Sequence, residues 1–361
     1  MSALALSPQT QSFRLGRPFA LESGQVLDDL LLAYRRWGKL NPAGDNAVVV
    51  CHALTGSADA DVWWAALFGE GKALDPSRDF IVAANVLGGC YGSSGPATRD
   101  AHGVRLGTRF PALTIRDQVR AQIALVDALG VAQIKLVIGG SLGGLQALEW
   151  PLLDRRVERV ATIAASGRHS AWCIGWSEAQ RMALAADPRF VDGDYADHAP
   201  PSAGLAAARA IAMLSYRSAH SMAARYARHD GGLVFGERAA RPHAPAINNW
   251  LAHHGKALVE RFDALSYLRL LDAMDTHDLA RGRGGFAEVV RRIRQPTLVV
   301  SIPSDALYVP AEQRELAALL PNAELVELDS IHGHDGFLLD ADRLEPIVRA
   351  FRAGTGVAVA A

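Results

Sequence analysis

Short apolar runs alternate with amphipathic stretches through the first half of the chain. Val48–His52, Phe80–Asn85 and Ile134–Ile138 are rich in β-branched residues and bounded by glycine or polar turns, a pattern that predicts buried strands. Between the last two runs, Thr114–Leu129 carries Ile115, Val119, Ile123, Val126 and Leu129 at intervals of three or four residues, the spacing of one helix face. Its opening, Thr114-Ile115-Arg116-Asp117, reads as a capped helix start, and Gly130 reads as the glycine that ends it. Strands alternating with helices imply a parallel sheet with right-handed crossovers.

The pattern changes after the strand-like Val160–Ala164. From about Trp172 to Asp278 the chain is Ala-rich and helical, with breaks near Pro188 and at Pro200-Pro201, and no strand is predicted there. Alternation resumes with the strand Thr297–Ile302, a helix at about Ala311–Leu319 and the strand Glu324–Leu328. This predicts a sheet-based core formed by residues 1–168 and 290–361, interrupted by a helical lid at 169–289. The Ala-rich tail Gly354–Ala361 reads as a frayed end.

Composition narrows the class. Half of the 361 residues are hydrophobic, enough for a large core, and no apolar run approaches the length of a membrane-spanning helix. A formal net charge of -1 with no block of like charges excludes a broad electrostatic footprint for nucleic acid or an anionic membrane. The N-terminal Met1-Ser2-Ala3-Leu4-Ala5-Leu6 lacks a basic region ahead of an apolar stretch, so no signal peptide is expected. Cys51, Cys90 and Cys173 are an odd set without CxxC spacing, which points to a reducing, cytoplasmic setting rather than to disulfides or zinc.

The chemistry is carried by Gly139-Gly140-Ser141-Leu142-Gly143-Gly144, which follows a predicted strand and opens a helix. This is G-x-S-x-G in the strand–turn–helix setting of a nucleophile elbow. The turn is so tight that side chains at Gly139 and Gly143 would collide across it, and the serine hydroxyl is lifted to a helix N-terminus. There the Leu142 N–H can face a developing oxyanion. A dinucleotide fingerprint would need glycine where Ser141 stands, and a P-loop would need Gly-Lys-Ser/Thr, whereas Gly71-Lys72 is followed by Ala73. The remaining partners are expected in the order Ser, Asp, His. Asp305 follows the strand Thr297–Ile302, and His334 follows Glu324–Leu328, with His332 its close competitor. A second oxyanion donor is expected from the loop after an early strand, where Leu54 stands in His52-Ala53-Leu54-Thr55-Gly56. His52 itself reads as a turn residue with no proton-transfer role. His277 and the pair His253-His254 read as packing or surface residues of the lid, so no metal site is expected.

These residues together resemble the homoserine O-acetyltransferase family, an acyl-CoA-dependent branch of the α/β-hydrolases. The likeness runs through His52–Gly56, Asn85-Val86-Leu87-Gly88-Gly89-Cys90 into Gly92-Ser93-Ser94-Gly95-Pro96, and Gly139–Trp150. It continues in Ala208–Ser218, Glu260-Arg261-Phe262-Asp263, Asp275-Thr276-His277-Asp278 and Gly333-His334-Asp335. Leu142 stands where the family usually has Met. The resemblance implies an α/β-hydrolase fold, a mostly parallel sheet flanked by helices with an inserted helical lid, and a homodimer formed through lid helices. It also implies acetyl-CoA as co-substrate with no tightly bound cofactor, L-homoserine as acceptor, a place in methionine biosynthesis, and substrate contacts from Arg209, Tyr216 and Asp335. Arg209 and Tyr216 are seven residues apart on a predicted helix and so share a face. A guanidinium there suits an amino-acid carboxylate, and Asp335 beside the base suits its ammonium. The expected reaction is a two-step transfer through an acyl-Ser141. The alternatives are a serine or homoserine O-succinyltransferase, and an esterase or thioesterase with the same triad.

Overall fold

The computed structural model describes residues 6–227 and 245–355. Eight strands form the main sheet: β1 (Gln11–Arg14), β2 (Leu31–Trp37), β3 (Ala47–Cys51), β4 (Phe80–Ala84), β5 (Ile134–Gly140), β6 (Val160–Ile163), β7 (Thr297–Ser301) and β8 (Ala323–Glu327). Their order in space is β1-β2-β4-β3-β5-β6-β7-β8. From β4 onward every pairing is parallel, while β1–β2 and β2–β4 are antiparallel. The six strands expected from the apolar runs are all present, within a residue or two of their predicted bounds. The antiparallel edge was not expected. Leu-Leu-Ala-Tyr-Arg-Arg-Trp in β2 contains no β-branched residue and carries two adjacent arginines, so its local pattern does not mark a strand. Pairing decides it: Tyr34 to Trp37 lie in register with Ala84 to Ile81.

Both sheet faces are covered, as crossover helices require. Val49, Val82 and Val137 face Val119, Leu125, Val126 and Trp150, on α1 (Ile115–Ala128) and α2 (Leu142–Leu153). The alternate residues Val48, Val50, Ile81 and Ile138 face Trp64, Phe337 and the inner side of the C-terminal helix Ala341–Ala353. Helix α1 begins with the expected reciprocal cap: Thr114 Oγ1 accepts from Asp117 N at 3.2 Å, and the Asp117 carboxylate accepts from Thr114 N at 3.1 Å. Gly130 after it has φ +77°, the left-handed closing position.

Between β6 and β7 the described residues build helices α3 (Ala171–Ala185), α4 (Ser202–Tyr216), α5 (Ala219–Tyr226), α6 (Ala246–Val259) and α7 (Ala264–Asp275). Helix α4 packs between α3 and α6. A third apolar cluster joins this layer to the sheet: Leu205, Ala208, Tyr267 and Leu270 from the helices meet Leu54, Val86, Leu142 and Tyr308 from the strand ends. The helical segment therefore shares a core with the C-terminal edge of the sheet, where α/β folds place their ligands. Part of the predicted lid, residues 228–244, and nearly all of the predicted frayed tail lie outside the described residues.

Candidate active site

The elbow stands at the end of β5. Ser141 has φ 57° and ψ −126°, a conformation that a residue with a side chain adopts only when its surroundings compel it. Its N–H donates to Ile163 O at 2.9 Å, and its own carbonyl accepts the first helical bond of α2, from Leu145 N at 3.0 Å. The glycines are explained by contact. A Cβ on Gly139 would lie 2.3 Å from the Gly143 carbonyl, and one on Gly143 would lie 2.0 Å from Cys51 O. The second of these contacts presses the start of α2 against the end of β3, which sets the loop Ala53-Leu54-Thr55 beside the serine. Among the described residues no protein acceptor takes the N–H of Leu54 or of Leu142.

His52 braces that loop. Its Nε2 accepts from Val86 N at 3.0 Å, so the ring proton sits on Nδ1 and donates to Ala53 O at 2.8 Å. Burial, partly opposed by the Ala53 hydrogen bond, pushes this imidazole down to about 4, and it stays neutral near pH 7. Both ring nitrogens of His52 are thus occupied by backbone groups.

Asp305 and His334 meet at the ends of β7 and β8. His334 Nδ1 and Asp305 Oδ2 are 2.8 Å apart, and Oδ1 of the same carboxylate accepts from Leu307 N at 2.8 Å and Tyr308 N at 3.0 Å. Both side chains are almost wholly buried. Burial alone would lower the imidazole's pKa. The charge and hydrogen bond of Asp305, together with the charge of Asp335, outweigh it and raise the pKa above the ordinary histidine value. Ser141 Oγ makes no hydrogen bond to His334 in this structure, as is common before substrate binds. Phe337 ties the two regions together: its ring packs 5.7 Å from the imidazole and occupies the space a Cβ on Gly140 would need, at 2.6 Å. His332, the competing histidine, faces away and contacts Ser221 Oγ at 3.1 Å through Nδ1.

Helix α4 carries Arg209 and Tyr216 on one face, as their spacing predicts. The Arg209 guanidinium lies 5.6 Å from the Tyr216 ring centre, and that ring lies 5.6 Å from the His334 ring. Asp335 is the next residue after His334, and its neighbour was not foreseen: Arg217 Nε lies 3.8 Å from Asp335 Oδ2. Burial raises the Asp335 carboxyl above its usual range, against the opposing pull of His334, Arg217 and Arg209. Gly333 explains how these segments approach, since a Cβ there would lie 2.7 Å from Ser218 N.

Arg261 is the second residue that sequence reasoning left without a role. It donates to Thr55 O at 2.8 Å and to the Tyr91 hydroxyl, while Arg209 reaches Thr55 Oγ1 at 3.4 Å. Its only signal in the sequence is its place in Glu260-Arg261-Phe262-Asp263, which does not reveal its partner. A cavity of about 630 Å³ opens at this point, lined by Ala53, Thr55, Tyr91, Arg209, Glu260 and Arg261 among others. Ser141 is not part of the lining and is 5% exposed. No group of three or more metal-ligating side chains occurs among the described residues; His254 packs on Trp250, and His277 is buried.

Comparison with known proteins follows the same lines. The sequence profile of the alpha/beta hydrolase fold matches residues 46–341. The homoserine O-acetyltransferase of Trichormus variabilis is 52% identical over 349 residues, covering 96% of this chain and 95% of the relative. The crystal structure of homoserine O-acetyltransferase from Bacillus anthracis superimposes with a TM-score of 0.86 at 23% identity, covering 95% of this chain and 97% of that one. Esterase E22 superimposes with a TM-score of 0.84 at 24% identity, over 95% and 99% of the two chains. At such identities these two structures speak for the fold alone.

Proposed function

The chain belongs to the homoserine O-acetyltransferases of the α/β-hydrolase fold, and from that premise we propose how its own residues carry the transfer from acetyl-CoA to L-homoserine. The reaction is acyl transfer to the homoserine hydroxyl, a step of methionine biosynthesis. Ser141 is the nucleophile, His334 its base and Asp305 the carboxylate that orients the base. His334 takes the Ser141 proton as Oγ attacks the thioester carbonyl; the C–S bond breaks, and the coenzyme thiolate leaves with that proton. The oxyanion is received by the N–H groups of Leu54 and Leu142. In the second half, His334 takes the proton of the homoserine hydroxyl as that oxygen attacks the acyl-serine, and Ser141 regains a proton as the ester departs.

The acceptor is held at its zwitterionic end. Arg209 takes the carboxylate, Asp335 takes the ammonium as Arg217 is drawn aside, and the Tyr216 ring borders the hydroxyl. Transfer must outrun hydrolysis, so the helical insertion at 169–289 acts as a lid that keeps water from the acyl-enzyme. The observation that carries this reading is the Asp305–His334 pair at 2.8 Å beside a serine held at φ 57°, in a chain 52% identical to a homoserine O-acetyltransferase.

Two further properties belong to the proposal. Three free, buried cysteines suit a reducing cytoplasm. Trp172, Met182 and Leu214 are exposed apolar side chains on α3 and α4, a surface suited to a second copy of the chain, and light scattering of Met182→Lys against the unaltered protein tests that dimer. The decisive experiment measures coenzyme A release from acetyl-CoA with and without L-homoserine, beside succinyl-CoA and L-serine. Release that requires homoserine and acetyl-CoA and vanishes in Ser141→Ala supports the reading. Release indifferent to any acceptor makes the protein a hydrolase, the activity named for esterase E22 on the same fold.

A further inference from the structure

The His334 imidazole is surrounded by aromatic rings. Tyr308 stacks on it at 5.5 Å with an interplanar angle of 30°, Tyr216 lies 5.6 Å away at 39°, and Phe337 meets it edge-on. Tyr308 comes from the sheet side and Tyr216 from the helical insertion, so the ring is flanked from two layers of the molecule. Tyr308 is fully buried and held at every polar atom: its N–H donates to Asp305 Oδ1, its carbonyl accepts from Gln313 Nε2 at 3.0 Å, and its hydroxyl bonds His169 Nδ1 at 3.1 Å. His169 is in turn fixed by its N–H to His277 O at 2.8 Å, with Nε2 3.6 Å from Asp275 Oδ1. A tyrosine tied down so completely presents a ring that cannot move aside.

We propose that Tyr308 is a positioning residue for the reaction: with Tyr216 it clamps the imidazole of His334, holding it in the orientation for proton transfer and favouring its protonated form. An imidazolium stacked within about 6 Å of a ring centre is attracted by the negative ring face, and the attraction grows where water is excluded. The clamp acts when His334 carries the serine's or the acceptor's proton, so its effect is larger in the transition state than in the resting enzyme. The contact of the Tyr308 hydroxyl with His169 Nδ1 keeps the ring face presented, and the shared Asp305 carboxylate links the ring's own backbone to the group that orients the imidazole.

The inference rests on His334 being the base, and the test separates the two. The charged groups acting on the imidazole are Asp305 from the loop after β7 and Asp335 in its own turn, with Arg209 from the middle of α4 and Arg217 just after that helix acting on Asp335; His169, Cys173 and Glu312 lie behind Tyr308. Replacing Tyr308 with Phe or Leu removes the hydroxyl contact of His169 and leaves Asp305, Asp335, Arg209 and Arg217 themselves in place. The measurement is the acidic limb of kcat/KM for acetyl-CoA, which reports the base of the free enzyme. Tyr308→Leu, which keeps the site dry but removes the ring, is expected to move that limb about half a pH unit lower, with a rate loss of tenfold or more. Tyr308→Phe is expected to leave the limb in place. Should Tyr308→Leu fail to fold by circular dichroism, Tyr216→Leu gives the same reading from the other side. A limb that stays put in the ring-deleted variant, whatever the rate, overturns the clamp. A His334→Ala enzyme that still turns over overturns the base assignment instead.

Discussion

Arg261→Met tests the hold of the segment before α7 on the loop proposed to receive the oxyanion. Methionine preserves most of the apolar stem and removes the donors to Thr55 O and Tyr91, while leaving the triad residues untouched. Thr55 directly follows Leu54, so releasing its carbonyl loosens the Leu54 N–H. Complete loss of one oxyanion donor costs about 2.7–4 kcal/mol, or roughly 10²–10³ in kcat. The loop keeps other restraints, namely His52 bonded to both Val86 N and Ala53 O, and Gly56 N donating to Ala53 O at 2.8 Å. The expected loss is therefore partial, about 1.4–2.8 kcal/mol or roughly 10–100-fold. Because the oxyanion forms in both half-reactions, the single-turnover burst of coenzyme A should slow by that factor without homoserine present. Rapid quench or thiol detection of the burst, compared with steady-state KM for homoserine, separates the possibilities. A normal burst with a raised homoserine KM would refute the reasoning and make Arg261 an acceptor-binding residue, since it also lines the cavity.

Four further outcomes are expected. In Asp335→Asn the homoserine KM should rise at least tenfold while the acetyl-CoA burst stays near normal; an impaired burst with unchanged KM would contradict an ammonium-holding role. The raised pKa of His334 places the acidic limb of kcat/KM above the ordinary histidine value near 6.5, with activity lost as pH falls through it. Asp305→Asn removes the charge and hydrogen bond that raise this pKa, so its limb should move down in pH and kcat should fall by about 10⁴; an unmoved limb counts against the pairing. Gly143→Ala should abolish soluble expression or activity, since its Cβ would sit 2.0 Å from the Cys51 carbonyl, and a fully active, folded variant would show that the elbow relaxes.

Strands β3 to β8, helix α1 with its reciprocal cap, and the helical stretch between β6 and β7 were legible because each is encoded by local periodicity. The candidates Ser141, Asp305 and His334 could be picked from the sequence because each stands at or in the loop after a recognisable strand. Strand β2 was not, because Leu-Leu-Ala-Tyr-Arg-Arg-Trp becomes a strand only by pairing with β4. The choice of His334 over His332 rested on flanking residues; in the folded chain the first reaches Asp305 and the second Ser221. Arg217 and Arg261 lay inside quoted motifs yet had no visible partners, since Asp335 and Thr55 are 118 and 206 positions away. Tyr308 carried no signal in the sequence, since the ring it packs on belongs to the distant His334.

What the sequence determined by itself is whatever depends on neighbours along the chain: the alternation of strand and helix, the glycines of a turn too tight for side chains, and the family to which the order of motifs belongs. Only the tertiary structure decided what surrounds the side chains of the candidate site. The raised imidazole, the two arginines gripping Thr55, the Arg217 guanidinium against Asp335 and the tyrosines flanking His334 all join residues distant in sequence. Such contacts depend on burial and on where strand ends converge, and neither quantity is written in any local pattern.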